Sequence, residues 1–218
     1  MDHAIILATR LFPNGSPVSE TRLNSHTILQ YQLSLLRAYH VPSITVITSS
    51  PARGEFGRLK PKGPVSSQLW EALSSTARGN HVLLADGACL YSGSHLAHIL
   101  DCPIEALITV KPAISHSEPG VRVVTASCGR VRDAGKGIDP PVFPWDLWSG
   151  LLSLRPRAAR AMKALLAGTD CSALDLGNIL GFFVRSYPVY AYAFDGRWVR
   201  VEDSGDVEMA RGFVRSHG

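Results

Sequence analysis

The sequence Ala4-Ile5-Ile6-Leu7-Ala8-Thr9-Arg10-Leu11-Phe12-Pro13 passes from a continuous apolar run into polar and turn-forming residues. A short apolar run of this kind is typical of a strand that is buried on both faces of a parallel sheet. Apolar residues then recur at steps of three and four across residues 28–36, which predicts an amphipathic helix, and residues 44–48 predict the next strand. These elements predict a βαβ unit and an α/β fold with a mixed, mainly parallel sheet.

The loop after the first strand is the first candidate for a binding site. In open α/β sheets, ligands bind beyond the carboxyl ends of the strands. Residues 8–17 should therefore line a pocket, and Arg10 supplies its first charged side chain. Residues 49–64 contain proline, glycine and several basic side chains, and they predict a long loop at the same edge. A plain surface loop is the alternative for residues 8–17.

A carboxylate follows the third apolar strand, which is predicted at residues 81–85. Asp86 comes directly after this strand, and Gly87 comes next. A carboxylate at the carboxyl end of a central strand suits Mg²⁺, because this hard cation binds oxygen ligands. Asp86 is therefore a candidate metal ligand, and a simple turn at Asp86-Gly87 is the alternative.

A lysine follows a predicted hairpin, whose strands cover residues 121–126 and 130–134. Lys136 lies between two glycines, which let the backbone and an ammonium group approach an anion closely. Lys136 is therefore a candidate anion ligand, with a solvated lysine as the alternative. The strand that follows carries Trp145 and Trp148, which are interpreted either as walls of a substrate subsite or as core residues.

The composition is that of a globular protein. The chain has 218 residues, of which 45% are hydrophobic and 18% are charged. No apolar run approaches the roughly 20 residues of a membrane span, and the first residues lack the basic start of a signal peptide. We therefore expect a cytoplasmic protein without a membrane partner. The four cysteines are widely spaced, which predicts neither a zinc site nor a disulfide framework. The net charge of +4 suits an anionic ligand, for which a nucleoside triphosphate suffices without nucleic acid.

The opening segment resembles the sugar-nucleotidyltransferase superfamily. Members of that superfamily begin with a strand, Leu-Ala-Ala, a glycine-rich turn and Arg-Leu-x-Pro, followed by Pro-Lys before the first helix. Here Leu7-Ala8 and residues 10–13 match, the glycine-rich turn is missing, and Pro17-Val18 stands where Pro-Lys is expected. The family element Tyr-Ser-Leu-Trp-x-Ala is matched by residues 67–72, with Gln68 in place of the serine.

The rest of the chain continues the resemblance. The family's Gly-Asp after the third strand falls on Gly87-Ala88, and its Gly-Lys after a hairpin falls on Gly135-Lys136. The closing pattern Trp-x-x-Ile-Asp falls on residues 198–202, which places Glu202 on the metal-binding aspartate. The second family aspartate, which caps the closing helix, falls on Asp206. The resemblance therefore spans nearly the whole chain, but the lysine and one metal aspartate are replaced by Val18 and Ala88.

The resemblance implies one nucleotidyltransferase-like domain over residues 1–218, a Rossmann-like (GT-A-like) three-layer α/β/α sandwich. It implies a Mg²⁺-dependent transfer of CMP from CTP to a small phosphate or phosphonate acceptor, with release of pyrophosphate, as in the phosphocholine and phosphonate cytidylyltransferases. Arg10 and Lys136 would be the catalytic cations, and Lys136, Trp145 and Trp148 would bind the acceptor. The implied nucleotide-binding residues are Leu7, Ala8, Thr9, Arg10, Gln68, Asp86 and Gly87. The implied metal ligands are Asp86, Glu202 and Asp203.

Two other functions stay open. Val18, Ala88 and the missing glycine-rich turn favour a homologue that still binds nucleotide for regulation but has lost the chemistry. A guanylyltransferase of the molybdenum-cofactor type shares the fold and the opening strand. The base, the acceptor and the oligomeric state, including a homodimer, are left open by the sequence.

Overall fold

The computed structural model describes residues 1–48, 58–59, 65–76, 79–113, 120–136, 138, 145–168, 176–194 and 198–217. The strands are β1 (His3–Ala8), β2 (Arg22–Leu23), β3 (His26–Thr27), β4 (Ile44–Thr48), β5 (Arg58–Leu59), β6 (Val82–Asp86), β7 (Cys89–Tyr91), β8 (Ala106–Pro112), β9 (Arg122–Thr125), β10 (Val131–Gly135), β11 (Asp146–Leu154), β12 (Tyr190–Ala193) and β13 (Trp198–Arg200). The α-helices are α1 (Ile28–Ala38), α2 (Val65–Ser75), α3 (Gly93–Asp101), α4 (Pro156–Gly168), α5 (Leu176–Ser186) and α6 (Asp206–His217).

Among the described residues, nine strands form one mixed sheet. Its path is β10-β9-β11-β6-β1-β4-β5, with β8 added beside β11 and β12 beside β8. Strands β1, β4, β5 and β6 are parallel to their neighbours within this group, and β12 is parallel to β8. Strands β11 and β10 run opposite to the other seven, because β11 is antiparallel to β6, β8 and β9, and β10 is antiparallel to β9. The predicted mixed, mainly parallel sheet is confirmed.

The sheet is covered by helices on both faces, because its central strands are apolar on both sides. In β1, Ile5 and Leu7 belong to the core cluster that contains α2, α4 and α5, whereas Ala4 and Ile6 belong to the cluster that contains α1 and α3. This two-sided burial is the reason that parallel strands read as continuous apolar runs. The predicted three-layer α/β/α arrangement is confirmed.

Local signals set the start of the first helix. Thr27 is the N-cap of α1, where its side chain accepts a hydrogen bond from the backbone N–H of Gln30, and the Gln30 side chain accepts one from the Thr27 N–H. This reciprocal capping box satisfies two backbone donors that a helix leaves unpaired at its N-terminus. Helix α1 therefore begins at Ile28, at the start of the predicted periodic segment.

A smaller sheet closes one side of the molecule. Strand β13 pairs antiparallel with β7, and α6 follows β13. Together they pack on an apolar cluster separate from the two faces of the main sheet, with Val18, Leu23, Ile28, Ala88, Leu90, Val201, Ala210 and Phe213 as its buried members. This small sheet fixes the last strand beside the turn that follows β6.

Several elements differ from the sequence-based expectations, among them the short strands β2 and β3, which were not predicted. The predicted loop over residues 49–64 contains the short edge strand β5, and the rest of that loop lies outside the described residues. Strand β7 was not predicted, because three residues are too short for a periodic pattern to be recognised. Helix α5 was not predicted either. Among the described residues, no helix combines the length and the apolar character that a membrane crossing requires.

Candidate functional site

The ends of β1 and β6 lie side by side at the carboxyl edge of the sheet. Leu7 is paired in register with Asp86, and the Gly87 N–H donates to the Leu7 carbonyl at 2.9 Å. A Cβ atom on residue 87 would lie 2.6 Å from the Cα of Ala8, so only glycine allows this approach. Gly87 therefore has a backbone role, which holds Asp86 next to the loop that carries Arg10. The Asp86 carboxylate lies at the end of β6, and a turn follows at residues 87–88, so the structure contains both features that were offered as alternatives for this segment.

Four charged side chains form a continuous chain of ion pairs at this edge. Arg10 Nη1 lies 2.9 Å from Glu202 Oε1, and the same oxygen lies 2.8 Å from Arg200 Nε. Arg200 Nη2 lies 3.1 Å from Asp86 Oδ2. The Arg200 side chain is 9% exposed and that of Asp86 is 12% exposed, so these two groups are almost fully removed from water. Arg10, Asp86 and Glu202, which were predicted as site residues, are thus brought together through Arg200.

Backbone pairing determines the position of Arg200. In the small sheet Arg200 is the register partner of Cys89, three residues after Asp86. The Val201 N–H donates to the Ala88 carbonyl at 2.9 Å, which extends this pairing by one residue. On the other side of the site, the Asp86 carboxylate accepts a hydrogen bond from the Ala88 N–H at 2.9 Å. Both partners of the Arg200–Asp86 pair are therefore held by main-chain hydrogen bonds.

A cavity of about 120 Å³ opens between this ion-pair chain and helix α5. Its lining residues are Leu7, Thr9, Arg10, Asp86, Lys136, Leu176, Gly177 and Arg200. Three of these side chains are cationic and one is a carboxylate, so the cavity suits an anion. Lys136 reaches it from the end of β10, and three strands, β9, β11 and β6, separate β10 from the strand that precedes Arg10, β1. The structure thus brings together Leu7, Thr9, Arg10, Asp86 and Lys136, which were all candidate site residues.

Helix α5 forms one wall of this cavity and packs against β10, the strand that precedes Lys136. Gly181 of α5 lies against the Ala134 carbonyl of β10, where a Cβ atom would clash with the oxygen. This close approach seats the first residues of α5, Leu176 and Gly177, beside the strand end that carries Lys136. The Arg122 guanidinium donates to the Ile138 carbonyl at 3.1 Å, which ties down the chain after Lys136.

Other predicted residues lie away from the cavity lining. Ala8 is buried in the cluster on the α1 face, and Gln68 is buried within α2. Trp148 is 1% exposed, belongs to the main core cluster and donates its indole N–H to the Leu151 carbonyl at 2.7 Å. Trp148 is therefore a core residue, which corrects the expectation that it lines an acceptor subsite. Trp145 is also buried, with the Arg122 guanidinium 4.7 Å from its ring centroid.

Asp203 supports the start of the last helix. Its carboxylate accepts hydrogen bonds from the backbone N–H groups of Gly205 and Asp206, at 2.7 and 3.3 Å. The Asp206 carboxylate in turn accepts from the backbone N–H groups of Glu202 and Asp203, at 2.7 and 3.1 Å. These bonds close the turn between β13 and α6. Asp206, which was expected to cap the closing helix, is its first residue and accepts from the preceding turn, whereas Asp203 accepts from the N–H at the helix start. These hydrogen bonds also fix the backbone of Glu202, which orients its side chain toward Arg10 and Arg200.

The donor set does not fit Mg²⁺ well. This ion requires near-octahedral oxygen coordination at about 2.0–2.1 Å, whereas Asp86 and Glu202 both face the guanidinium of Arg200. Asp203 directs an oxygen at backbone donors. Within the described residues, no group of three or more histidine, cysteine, aspartate or glutamate side chains has the arrangement of a metal site. The carboxylates predicted as metal ligands are thus engaged by cationic side chains or by the backbone.

Sequence reasoning missed two parts of this site. Arg200 was not singled out, although it stands two residues before Glu202 and so shares its side of an extended strand. Leu176 and Gly177 were missed because α5 was not predicted, although Leu176, Ile179, Leu180 and Phe183 have helical spacing.

Several solved structures are similar to this chain over nearly its whole length. A protein named as a glucose-1-phosphate thymidylyltransferase from Bacillus anthracis has a TM-score of 0.76 and 11% identity, covering 100% of this chain and 97% of its own. An inositol-1-phosphate CTP transferase from T. maritima has a TM-score of 0.75 and 15% identity, with 99% and 95% covered. A CTP:phosphocholine cytidylyltransferase from Streptococcus pneumoniae has a TM-score of 0.72 and 12% identity, with 98% and 100% covered.

These likenesses concern the fold. No protein-family profile matches the chain, and no curated protein matches its sequence. The chain has the fold that these nucleotidyltransferases share, as the sequence resemblance predicted.

Proposed function

We propose that the protein binds a nucleoside triphosphate in the cationic cavity and transfers the nucleoside monophosphate to a small phosphate or phosphonate acceptor. The observation that carries this proposal is the convergence of Arg10 and Lys136 on one cavity, although three strands separate β1 from β10 in the sheet. The cavity lies beyond the carboxyl ends of β1 and β6, where α/β sheets bind their ligands. The fold that this chain shares with nucleotidyltransferases also supports this chemistry.

The chemistry requires positioning and charge neutralisation. An oxygen of the acceptor attacks the α-phosphorus, the bond from that phosphorus to the bridging oxygen breaks, and pyrophosphate leaves with the electron pair. No covalent enzyme nucleophile and no redox partner are needed. Arg10 would hold the triphosphate and Lys136 the acceptor anion, so that the two reacting groups meet between fixed positive charges.

CTP is the proposed nucleotide. Two of the similar structures are named for the use of CTP, and one of these is named for phosphocholine as well. Three features resemble the cytidylyltransferases of phosphocholine and phosphonates: the hairpin of β9 and β10, which precedes Lys136, the strand at residues 149–152, and the short length of the chain. The acceptor subsite is assigned to the surroundings of Lys136.

A second candidate function is a nucleotide-binding regulator without transferase activity. Its support is the full burial of Val18 and Ala88 at the positions where the resemblance places a lysine and a metal-binding aspartate. A site without those two groups can still bind a triphosphate through Arg10, Arg200 and Lys136.

Measurements of pyrophosphate release and nucleotide binding separate the transferase, the regulator and the guanylyltransferase. The assay combines CTP, UTP, GTP or ATP with phosphocholine or a small aminoalkyl phosphonate, with Lys136→Ala as the test variant. The matched control is Arg132→Ala, because Arg132 is an exposed cation on the same strand, β10. We expect CTP-dependent release that Lys136→Ala reduces and Arg132→Ala does not. Nucleotide binding without release would favour the regulator, release with GTP alone would favour a guanylyltransferase, and absence of binding would reject all three.

A further inference from the structure

We infer that the guanidinium of Arg200 takes the place of a protein-bound divalent cation between Asp86 and Glu202, so that the nucleotide site works without a metal ion held by the chain. This inference deepens the proposed function and rests on it for the nucleotide. The part that concerns the metal rests only on the positions of side chains within the site.

One planar group spans both carboxylates. Arg200 faces Glu202 Oε1 with its Nε at 2.8 Å and Asp86 Oδ2 with its Nη2 at 3.1 Å. Different nitrogens thus serve the two carboxylates, an arrangement that the fork of a guanidinium allows and a point charge such as lysine does not. Asp86 and Glu202 come from different parts of the chain, and Arg200 is the cation that joins them.

The position of Arg200 is built into the fold. Its backbone pairs with Cys89 in the small sheet, the adjacent Val201 N–H donates to the Ala88 carbonyl, and its side chain is 9% exposed. An exposed arginine could swing away from its partners when a metal ion arrives. A buried one that is anchored at the end of a paired strand would have to leave two carboxylates and enter water or the core.

The charges within the ion-pair chain are already balanced. Arg10 and Arg200 carry two positive charges, and Asp86 and Glu202 carry two negative charges. A divalent cation placed between the carboxylates would lie against the Arg200 guanidinium, and like charges at such a distance repel strongly in a partly dehydrated site. The resemblance places a carboxylate at position 88 as a metal ligand, and Ala88 has no such oxygen. Its methyl side chain is fully buried in an apolar cluster.

Arg200 also faces the cavity, as do Arg10 and Lys136. A fixed guanidinium can neutralise phosphate charge as a bound cation does, and it forms directed hydrogen bonds to phosphate oxygens. Arg200 therefore has two roles in this account. It holds Asp86 and Glu202 in place, and it presents positive charge to the nucleotide.

Metal binding is measured first, with Mn²⁺ alone and no nucleotide, by electron paramagnetic resonance. We expect no saturable binding to the wild-type protein at millimolar Mn²⁺, and a gain of one saturable site in Arg200→Ala. The matched control is Arg211→Ala, which removes another arginine from an ion pair, here with Glu208 on the exposed surface of α6. If the wild-type protein binds Mn²⁺ saturably and Asp86→Asn abolishes this binding, the inference is overturned. This comparison does not depend on whether Arg200→Ala folds.

Nucleotide binding is measured second, by calorimetric titration of CTP in EDTA and in Mg²⁺. We expect dissociation constants that agree within about threefold for the wild-type protein, a difference well below 1 kcal/mol. Affinity that falls more than about tenfold in EDTA would overturn the inference. If CTP does not bind under either condition, the proposed function fails, while the Mn²⁺ arm still decides the role of Arg200. Circular dichroism of each variant establishes that it is folded.

Discussion

Val18 packs in the same apolar cluster as Ala88, and both side chains are fully buried. The resemblance places a lysine at the first position and a metal-binding aspartate at the second. Their replacement by two apolar members of one cluster removes both opposite charges from the same region, so neither charge is left buried without the other. The cluster also includes Val201 and Ala210, so it helps to hold β13 and α6, and therefore Arg200, against the main sheet.

Ala88→Asp should destabilise the protein instead of creating a metal site. The new carboxylate would enter an apolar cluster without a counter-charge, and an uncompensated buried charge costs about 3–5 kcal/mol. Urea denaturation measures the loss. The control is Ala164→Asp, an exposed position within α4, where the cost should be only the helix-propensity difference of about 0.5 kcal/mol. Equal stability of Ala88→Asp and wild type would show that side chain 88 can reach water or a cation.

Gly150→Ala should disturb the position of Asp86. Gly150 has φ +93°, and a Cβ atom there would lie 2.7 Å from Cys89 Sγ and 3.1 Å from Asp86 Cβ. Gly79→Ala is the matched control, because Gly79 has φ +98° but no atom within 4 Å of a Cβ. The free energy of unfolding of the control should fall by about 1–2 kcal/mol, the cost of a left-handed backbone for alanine. That of Gly150→Ala should fall by at least about 1 kcal/mol more, because of crowding. If both variants lose the same free energy of unfolding, crowding against Asp86 does not matter.

Arg10→Ala should weaken nucleotide binding at little cost in stability. Its ion pair with Glu202 is one quarter exposed, and pairs of that kind contribute about 0–1 kcal/mol. Loss of a charge-assisted phosphate contact should weaken CTP binding by about tenfold. Calorimetric titration measures the affinity, and Arg22→Ala, an exposed arginine of β2, is the control. Unchanged affinity in a folded Arg10→Ala protein would remove Arg10 from the site.

Stability should fall as the pH falls from about 6.5 to about 4. Burial lowers the pKa of His81 from 6.5 to about 4, and burial together with the nearby His98 lowers the pKa of His95 to about 4. Over that window the unfolded chain binds protons that the folded chain does not, so each histidine contributes a slope of up to about 1.4 kcal/mol per pH unit. Above pH 6.5 their contribution is constant.

Urea denaturation across this pH range tests the assignment with His95→Gln and His81→Gln. His95 is hydrogen bonded to Thr109 at 2.6 Å, and His81 to Ser153 at 2.6 Å, so glutamine retains a polar group at each position. Each variant should be less stable at neutral pH and should show a shallower fall toward acid. If the stability of the double variant falls toward acid pH with the same slope as that of the wild-type protein, groups other than these two histidines cause the acid sensitivity.

Much of the fold follows from the periodicity of the sequence. Residues 44–48 are β4 as predicted. The three strands predicted as apolar runs include six residues that the structure buries, Ile5, Ile6, Val46, Ile47, Leu83 and Leu84. These predictions succeed because a central strand that is buried on both faces is apolar throughout, whatever its partners are. Trp148 shows the limit, because apolar and aromatic character does not say whether a ring faces a ligand or the core.

The site was only partly predictable, because it depends on pairings between distant segments. Arg10 and Asp86 lie at the carboxyl ends of the parallel strands β1 and β6, and the edge rule for α/β sheets places such residues together. Lys136 follows β10, which runs opposite to these strands, so its place in the cavity is not explained by that rule. Arg200 lies in a strand of three residues, and its position beside Asp86 follows from the pairing of β13 with β7. No local pattern in residues 198–200 specifies that partner. Because that partner cannot be read from the sequence, Glu202 was predicted to face a metal ion, whereas in the structure it faces Arg10 and Arg200.

Phosphorus NMR of CTP in EDTA tests directly whether the cavity between Arg10 and Lys136 is a nucleotide site that needs no metal. We expect substoichiometric wild-type protein to broaden the three phosphate resonances. The double variant Arg10→Ala/Lys136→Ala, shown to be folded, should not broaden them. Resonances that stay sharp with the wild-type protein, or that are broadened equally by the double variant, would contradict this expectation.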